Sequence, residues 1–281
     1  MSEGGRLEEL EPEHLVLHKD ETGVLHVTLS RPKARNAMSL QMVDELETLL
    51  AAILDRRDVR AIVLRGAEGN FCAGGDVKDM AKARMNMPAE GEEDPVATVN
   101  RAFGRMITAF DRAPQAVVAV LEGAVLGGGF GLACVADVAI AKDDAKFGLP
   151  ETGLGLPPAQ IAPFLVRRLG LSQARRLAVT GGRFDGKAAH AMGLVHELAS
   201  SDEELGDVLG GVLKQIRRCA PGAIAATKHL MLQVGAIDHD AVLDEGAKKF
   251  AEQARGPEGT EGMTAFVQKR RPHWADGGGK A

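Results

Sequence analysis

The sequence predicts a mixed α/β fold with a strand-rich first part and a helical last part. Three observations carry this. Short apolar runs alternate with glycine-rich loops and helical patterns as far as about Pro158. Those runs lack polar alternation, as strands buried on both faces do. Beyond Pro158 the spacing of apolar residues turns almost wholly helical. Strands first and helices last imply a sheeted core with a helical appendage.

The elements follow in order. His14 to Ser30 alternates around Glu21-Thr22-Gly23 and reads as a β-hairpin. Ser39 is placed to cap a helix running to about Asp55, and "VRAIVLRG" is a short buried strand ending at Gly66. "AEGNFCAGGDVKDM" is loop chemistry, and the charged, Met-rich stretch Ala81 to Asp94 reads as mobile. A helix over about Val96 to Arg112 precedes Pro114 and the strand "QAVVAVLEG". Helical segments then lie near Ala159–Leu169, Ser172–Leu177, Asp185–Met192, Asp202–Arg218, Pro221–Val234, Asp238–Arg255 and Pro257–Arg270. This divides the chain into a flexible N-terminus (1–13), an α/β core (14–200), a helical region (201–273) and a disordered tail (274–281).

With 45% apolar and 26% charged residues, the 281-residue chain can bury a sizeable core. A net charge of −5 argues against nucleic acid or an anionic membrane as partner. No apolar run reaches the about 18 residues of a membrane span, and "MSEGGRLEELEPEH" is too charged for a secretory signal. Cys72, Cys134 and Cys219 are few, odd in number and far apart, the usage of reduced, buried thiols in a cytoplasmic protein. The chain has no tyrosine, which excludes any tyrosyl acid or base.

Several patterns mislead. "GGRFDGKA" (181–188) resembles a phosphate loop, but Ala188 stands where a metal-binding hydroxyl is required, and the stretch reads as a helix–helix turn. The triple glycine at 127–129 lacks a third fingerprint glycine, because Leu132 occupies that place. His14, His18, His26, His190, His196, His229, His239 and His273 have no metal-ligand spacing, and no Gly-x-Ser-x-Gly elbow exists.

What remains is a pair of glycine loops, each following an apolar strand: "FCAGGDVKDM" and "LGGGFGLACVAD". Amides at a helix start lack intrahelical partners and sit at the positive end of its dipole. Two such amides from separate loops, aimed at one point, make an oxyanion hole, and glycine leaves room for a carbonyl oxygen to approach. The expected donors are the N–H groups of Gly75 and Gly128.

Together with "RPKARNAMS", "KFGLPETGLGLPP" and "EGMTAFVQKRRP", these motifs resemble the enoyl-CoA hydratase/isomerase (crotonase) superfamily over about residues 14 to 273. The resemblance implies a crotonase-like β-β-α spiral core, a helical C-terminal trimerisation region, and homotrimers or dimers of trimers. It also implies acyl-CoA substrates, with coenzyme A entering as part of the substrate and no permanently bound cofactor or metal. Carried over by motif, Lys33, Ala34 and Arg35 lie near the adenine. Asp76, Val77 and Lys78 lie near the pantetheine and phosphates, Ala73, Gly127 and Gly131 also line the substrate site, and Lys269 reaches the CoA of its own or a neighbouring subunit.

Family hydratases commonly use two glutamates. One matches Glu151; the other falls at Gly131 and is missing. Glu151 stands beside Leu149, Pro150 and Leu154, an apolar setting that raises a carboxyl pKa toward proton transfer. "LPPAQIAPFLVRR" (156–168), with glycine at the second-acid position, resembles single-glutamate glutaconyl-CoA-type hydratases. Gln160 is then the candidate water holder, and Arg167 or Arg168 the candidate for attracting a substrate carboxylate.

The expected activity is hydration of an enoyl-CoA, with Δ3,Δ2-enoyl-CoA isomerisation as the alternative. A non-catalytic acyl-CoA- or RNA-binding homologue is a third reading. Its basic pairs, Arg167-Arg168, Arg175-Arg176 and Lys269-Arg270-Arg271, are scattered along an acidic chain.

Overall fold

The computed structural model describes residues 7–88 and 91–276. Strand β1 (Leu15–Lys19) returns antiparallel as β2 (Val24–Leu29), with Leu15 opposite Leu29. The chain then builds a parallel sheet from β3 (Ala61–Gly66), β4 (Ala116–Leu121), β6 (Val138–Lys142) and β9 (Glu197–Ala199). Its order is β1-β2-β3-β4-β6-β9. A second, three-stranded sheet runs β5-β7-β8, from β5 (Ala124–Leu126), β7 (Lys146–Gly148) and β8 (Arg183–Asp185). From β4 to β7 the chain alternates between the two sheets, β4 and β6 joining the large one and β5 and β7 the small one.

Both faces of the large sheet are covered. Ile62, Leu64, Val117, Ala119 and Leu121 enter the main core, whereas Val63, Val118, Val120 and Ile140 enter a second cluster on the opposite face. With a side-chain period of two, a strand buried on both faces must be apolar at every position, as β4 is. Helix α7 (Asp202–Arg218) covers the second cluster with Leu205, Val208, Leu209, Val212 and Ile216.

Helices α1 (Leu40–Ile53) and α3 (Pro95–Arg112) pack together against the main core. The Ser39 hydroxyl accepts from Met42 N–H at 3.2 Å and starts α1. Between them and the sheets lies α4 (Gly128–Val135), whose eight residues are all buried. "GGFGLACV" carries no polar side chain because every side of this helix faces protein.

The remaining helices are α2 (Val77–Met85), α5 (Ala162–Thr180), α6 (Gly186–Ala191), α8 (Pro221–Gln233), α9 (His239–Arg255) and α10 (Pro257–Val267). Two expected segments join as α5, broken at Gly170 where φ is +73°. The stretch 181–188, read as a helix–helix turn, instead contains β8, and Asp185 caps α6 by accepting from Ala188 N–H at 2.9 Å. Phe184 of β8 stacks on Phe147, and both meet Phe130 edge-on, which ties the small sheet to α4.

Other differences concern chain ends and thiols. Part of the stretch expected to be mobile belongs to α2, which continues to Met85; residues 89 and 90 lie outside the described residues. Leu7–Glu9, expected within a flexible stretch, form one helical turn that buries Leu7. Trp274, expected in a disordered tail, donates from Nε1 to Arg218 C=O at 3.1 Å. Arg60 reaches the same region, giving hydrogen bonds to the carbonyls of Trp274, Arg217 and Cys219. Residues 1–6 and 277–281, expected as termini, lie outside the described residues. Cys72 and Cys134 are buried, and burial pushes their thiols up to about 11 and about 12; Cys219 is exposed.

Candidate active site

Three parallel segments end side by side, and their ends make the site. Cys72 bridges Val125 of β5 in parallel, with Cys72 N–H donating to Ala124 and Leu126 N–H donating to Cys72. On its other side β5 pairs with β7, Leu126 opposite Gly148, and Gly127 N–H donates to Gly148 C=O at 3.1 Å. The next residues along each segment are Gly74-Gly75, Gly127-Gly128 and Pro150-Glu151. Parallel strands deliver their C-terminal ends to one edge, the usual ligand-binding side of such sheets.

The convergence is tightest at Gly127, which adopts φ +48°. A Cβ placed there would lie 2.8 Å from Glu151 Oε1 and 3.4 Å from Gly74 Cα. Both loops and the acid thus meet around a position where no side chain fits. A Cβ on Gly129 would lie 2.7 Å from the Cys72 carbonyl, so that glycine serves loop packing. A Cβ on Gly75 would meet nothing within 4 Å; its space is open.

The two expected donor amides are available. Met38 N–H donates to Gly74 C=O at 2.8 Å and Asp76 N–H to Met38 C=O at 2.9 Å. This ladder uses the groups flanking Gly75, so Gly75's own N–H faces away from Met38. Gly128 is the first residue of α4, where an amide has no intrahelical acceptor. Among the described residues neither amide donates a hydrogen bond.

Glu151 sits in the one-turn helix Pro150–Leu154 after β7. Its Oε2 is buried without a hydrogen-bond partner, and it forms no ion pair among the described residues. Burial raises its pKa above 4.5. An unpaired, half-buried carboxyl beside two free amides is equipped to carry a proton.

Gly131 lies one helical turn into α4. A Cβ there would lie 2.9 Å from Ile107 Cδ1, 3.2 Å from Ile161 and 3.3 Å from Phe103. The place of a second acid is therefore an apolar wall, whereas the carboxyl of Glu151 lies against Gly127.

The rim holds the other expected residues. Lys33, Ala34 and Arg35 are exposed on a one-turn helix, tied to the first loop because Ala73 N–H donates to Arg35 C=O at 3.0 Å. Asp76 caps α2 through Lys78 N–H at 2.9 Å and pairs with Arg31 at 2.7 Å, while Val77 and Lys78 are exposed. Gln160 lies against α3, its Nε2 donating to Asn100 Oδ1 at 3.0 Å. Lys269 is exposed after α10 and makes no side-chain hydrogen bond or ion pair among the described residues.

Arg167 and Arg168 do not serve as expected. Arg167 pairs with Asp111 and lies over the Phe164 ring. Arg168 donates to the carbonyls of Ala136 and Leu194, at the C-terminal end of α4. Eight residues span roughly 12 Å of helix, so both stand at the far end from the loops.

Asn36 was missed by the sequence reading. Fully buried at φ +56°, it accepts from Arg31 N–H and donates to the carbonyls of Ala67 and Asn70, stapling the rim to the first glycine loop. Asparagine's tolerance of left-handed backbone, directly after "RPKAR", was the available signal.

The pattern that defines the enoyl-CoA hydratase/isomerase family matches residues 19–277. Mevalonyl-coenzyme A hydratase SIDH of Beauveria bassiana is 33% identical over 90% of this chain and 91% of its own length. The 2,3-dehydroadipyl-CoA hydratase of Escherichia coli is 33% identical over 89% of this chain and 94% of its own. Among solved structures, Pseudomonas aeruginosa AtuE is 58% identical with a TM-score of 0.89, covering 94% of this chain and all of that one. An enoyl-CoA hydratase/isomerase from Marinobacter aquaeolei is 54% identical with a TM-score of 0.91, covering 94% and 99%. Fold, spiral order and sequence pattern agree over nearly the whole chain, which belongs to the enoyl-CoA hydratase/isomerase family.

Proposed function

We propose that this enzyme adds water across the α,β double bond of an acyl-CoA thioester, using a two-amide oxyanion hole and one glutamate. The thioester oxygen accepts from Gly75 and Gly128 N–H, which draws electron density from Cβ and stabilises the enolate formed on attack. Ionised Glu151 takes a proton from water as its oxygen bonds Cβ, then returns that proton to Cα. One carboxyl therefore acts as base and then acid, and the elements of water end on adjacent carbons. Coenzyme A is held as part of the substrate, with Lys33, Ala34, Arg35, Ala73, Asp76, Val77 and Lys78 along its path and Lys269 reaching the CoA of its own or a neighbouring subunit. Gln160, whose Nε2 is held by Asn100, keeps its carbonyl Oε1 to orient the water.

The observation that carries this reading is the meeting of Gly74, Gly127 and Glu151 Oε1 around one vacant Cβ position. The names of the related mevalonyl-CoA and 2,3-dehydroadipyl-CoA hydratases support hydration, and the single acid supports a branched glutaconyl-CoA as substrate. In the test, enoyl-CoAs are followed by loss of conjugated thioester absorbance. Glu151→Gln should lower kcat by about a hundredfold or more; near-full turnover would overturn the assignment.

The single carboxyl also favours a second reading. Moving a proton between Cα and Cγ needs one base, so Δ3,Δ2-enoyl-CoA isomerisation fits the same site. Incubation with a 3-enoyl-CoA, followed by the gain of conjugation, separates the two.

We further propose a homotrimer, or dimer of trimers, built on the bare apolar side chains of α9 and α10. Phe250, Met263, Phe266 and Val267 are 77%, 55%, 85% and 78% exposed. The three unpaired thiols support a cytoplasmic location. Among the described residues no helix is long and apolar enough to cross a membrane.

A further inference from the structure

Beside the site, α3 carries a cation with no partner among the described residues. On α3, Asn100, Phe103, Gly104 and Ile107 recur at helical spacing and share one face. Phe103 faces the glycine loop: a Cβ on Gly128 or Gly131 would lie 3.3 Å from its ring. One turn earlier the same face becomes polar. The Gln160 amide, held by Asn100 Oδ1, turns its Oε1 over Gly104, 1.9 Å from where a Cβ would sit. Arg101 Nη1 comes within 2.8 Å of that same point. Guanidinium and amide therefore stand together above a helix position stripped of its side chain.

Neighbouring cations are engaged: Arg105 has Glu47 at 3.8 Å, and Arg167 has Asp111. Arg101 is exposed and makes no hydrogen bond or ion pair with another described residue.

We propose that Arg101, with the Gln160 amide fixed by Asn100, binds a carboxylate at the far end of the acyl chain, so that the preferred substrates are thioesters of dicarboxylic enoyl acids. This rests on the reading that the thioester oxygen sits at Gly75 and Gly128. From Phe103 back to Asn100 is three residues, roughly 4.5 Å along the helix. A chain lying on Phe103 meets the guanidinium a few carbons beyond the double bond. The planar fork matches a carboxylate, and the free Gln160 amide hydrogen supplies another donor. The specificity contact thus lies on α3, not at Arg167 and Arg168.

Binding of saturated thioesters tests this without turnover. Calorimetric titration of the full chain with glutaryl-CoA, adipyl-CoA and butyryl-CoA should show at least one dicarboxylic thioester binding about tenfold or more tighter than butyryl-CoA. The ratio should shrink with added salt, fall to near one in Arg101→Met, survive in part in Arg101→Lys, and persist in Arg105→Met. A wild type without preference, or a ratio unchanged in Arg101→Met, overturns the proposal. Preference without hydration of the matching enoyl-CoAs overturns the hydratase reading alone; hydration without preference overturns this one alone.

Discussion

At the mouth of α4 the difference of one methyl group separates a folded protein from a working site. Gly127 combines a left-handed φ of +48° with a missing Cβ that would sit 2.8 Å from Glu151 Oε1. Gly127→Ala should destabilise the fold by about 1–3 kcal/mol through backbone strain. It should also lower kcat/KM by about tenfold or more by displacing the carboxyl, as steady-state kinetics beside a melting curve would reveal. In the proposed mechanism Glu151 sets the acid limb of activity. Burial raises its pKa above 4.5, and the ionised form is the base, so kcat/KM falls as pH drops through that raised value and is flat above it. A limb at or below the ordinary glutamate value would contradict the assignment. Gly131→Glu, which restores the family's second acid by sequence, should gain no activity. It forces a carboxylate against Ile107, Ile161 and Phe103, at a cost of about 2 kcal/mol or more in urea unfolding.

At the scale of elements, the site exists because β5 has parallel neighbours on both sides. The Cys72 bridge and the β5–β7 ladder fix which residues leave the sheet together, and a slip of one residue would turn Glu151 away. Asn36 secures the first of those segments with three hydrogen bonds. Asn36→Ala leaves buried backbone groups unpaired and should cost about 2–3 kcal/mol by chemical denaturation, with a rise in KM as the rim loosens. Legibility differed by element for physical reasons. Helices α1, α3 and α7 declare themselves by an apolar stripe, and α1 also by Ser39 at its cap. β8 and β9 are three residues each, too short for any periodicity, so the sequence shows β8 only as a helix–helix turn and β9 as no element.

For the whole molecule, the two faces of the large sheet find different covers, and the outer helical layer is left partly bare. α7 closes one face, whereas α9 and α10 present Leu243, Phe250 and Phe266 to solvent. Exposed apolar area of this kind marks an association surface. The double variant Phe250→Asp/Phe266→Asp should convert the proposed trimer to monomer in light scattering coupled to size exclusion. An unchanged mass would place the interface elsewhere. Arg60 ties β3's start to the end of α7 and to the C-terminal turn, its guanidinium bonded to carbonyls of Arg217, Cys219 and Trp274.

By itself the sequence determined the α/β class, the two glycine loops and the presence of a single candidate acid, because each is written in adjacent residues. Local pattern carries such information: a period of two or 3.6, a cap, a glycine at a helix mouth. Tertiary structure alone decided that Gly74, Gly127 and Glu151 meet, that apolar side chains fill the space beside Gly131, and that Arg101 has no partner among the described residues while Arg167 and Arg168 are engaged. Those outcomes depend on strand register and helix packing between segments tens of residues apart, where no local spacing records which side chains will touch.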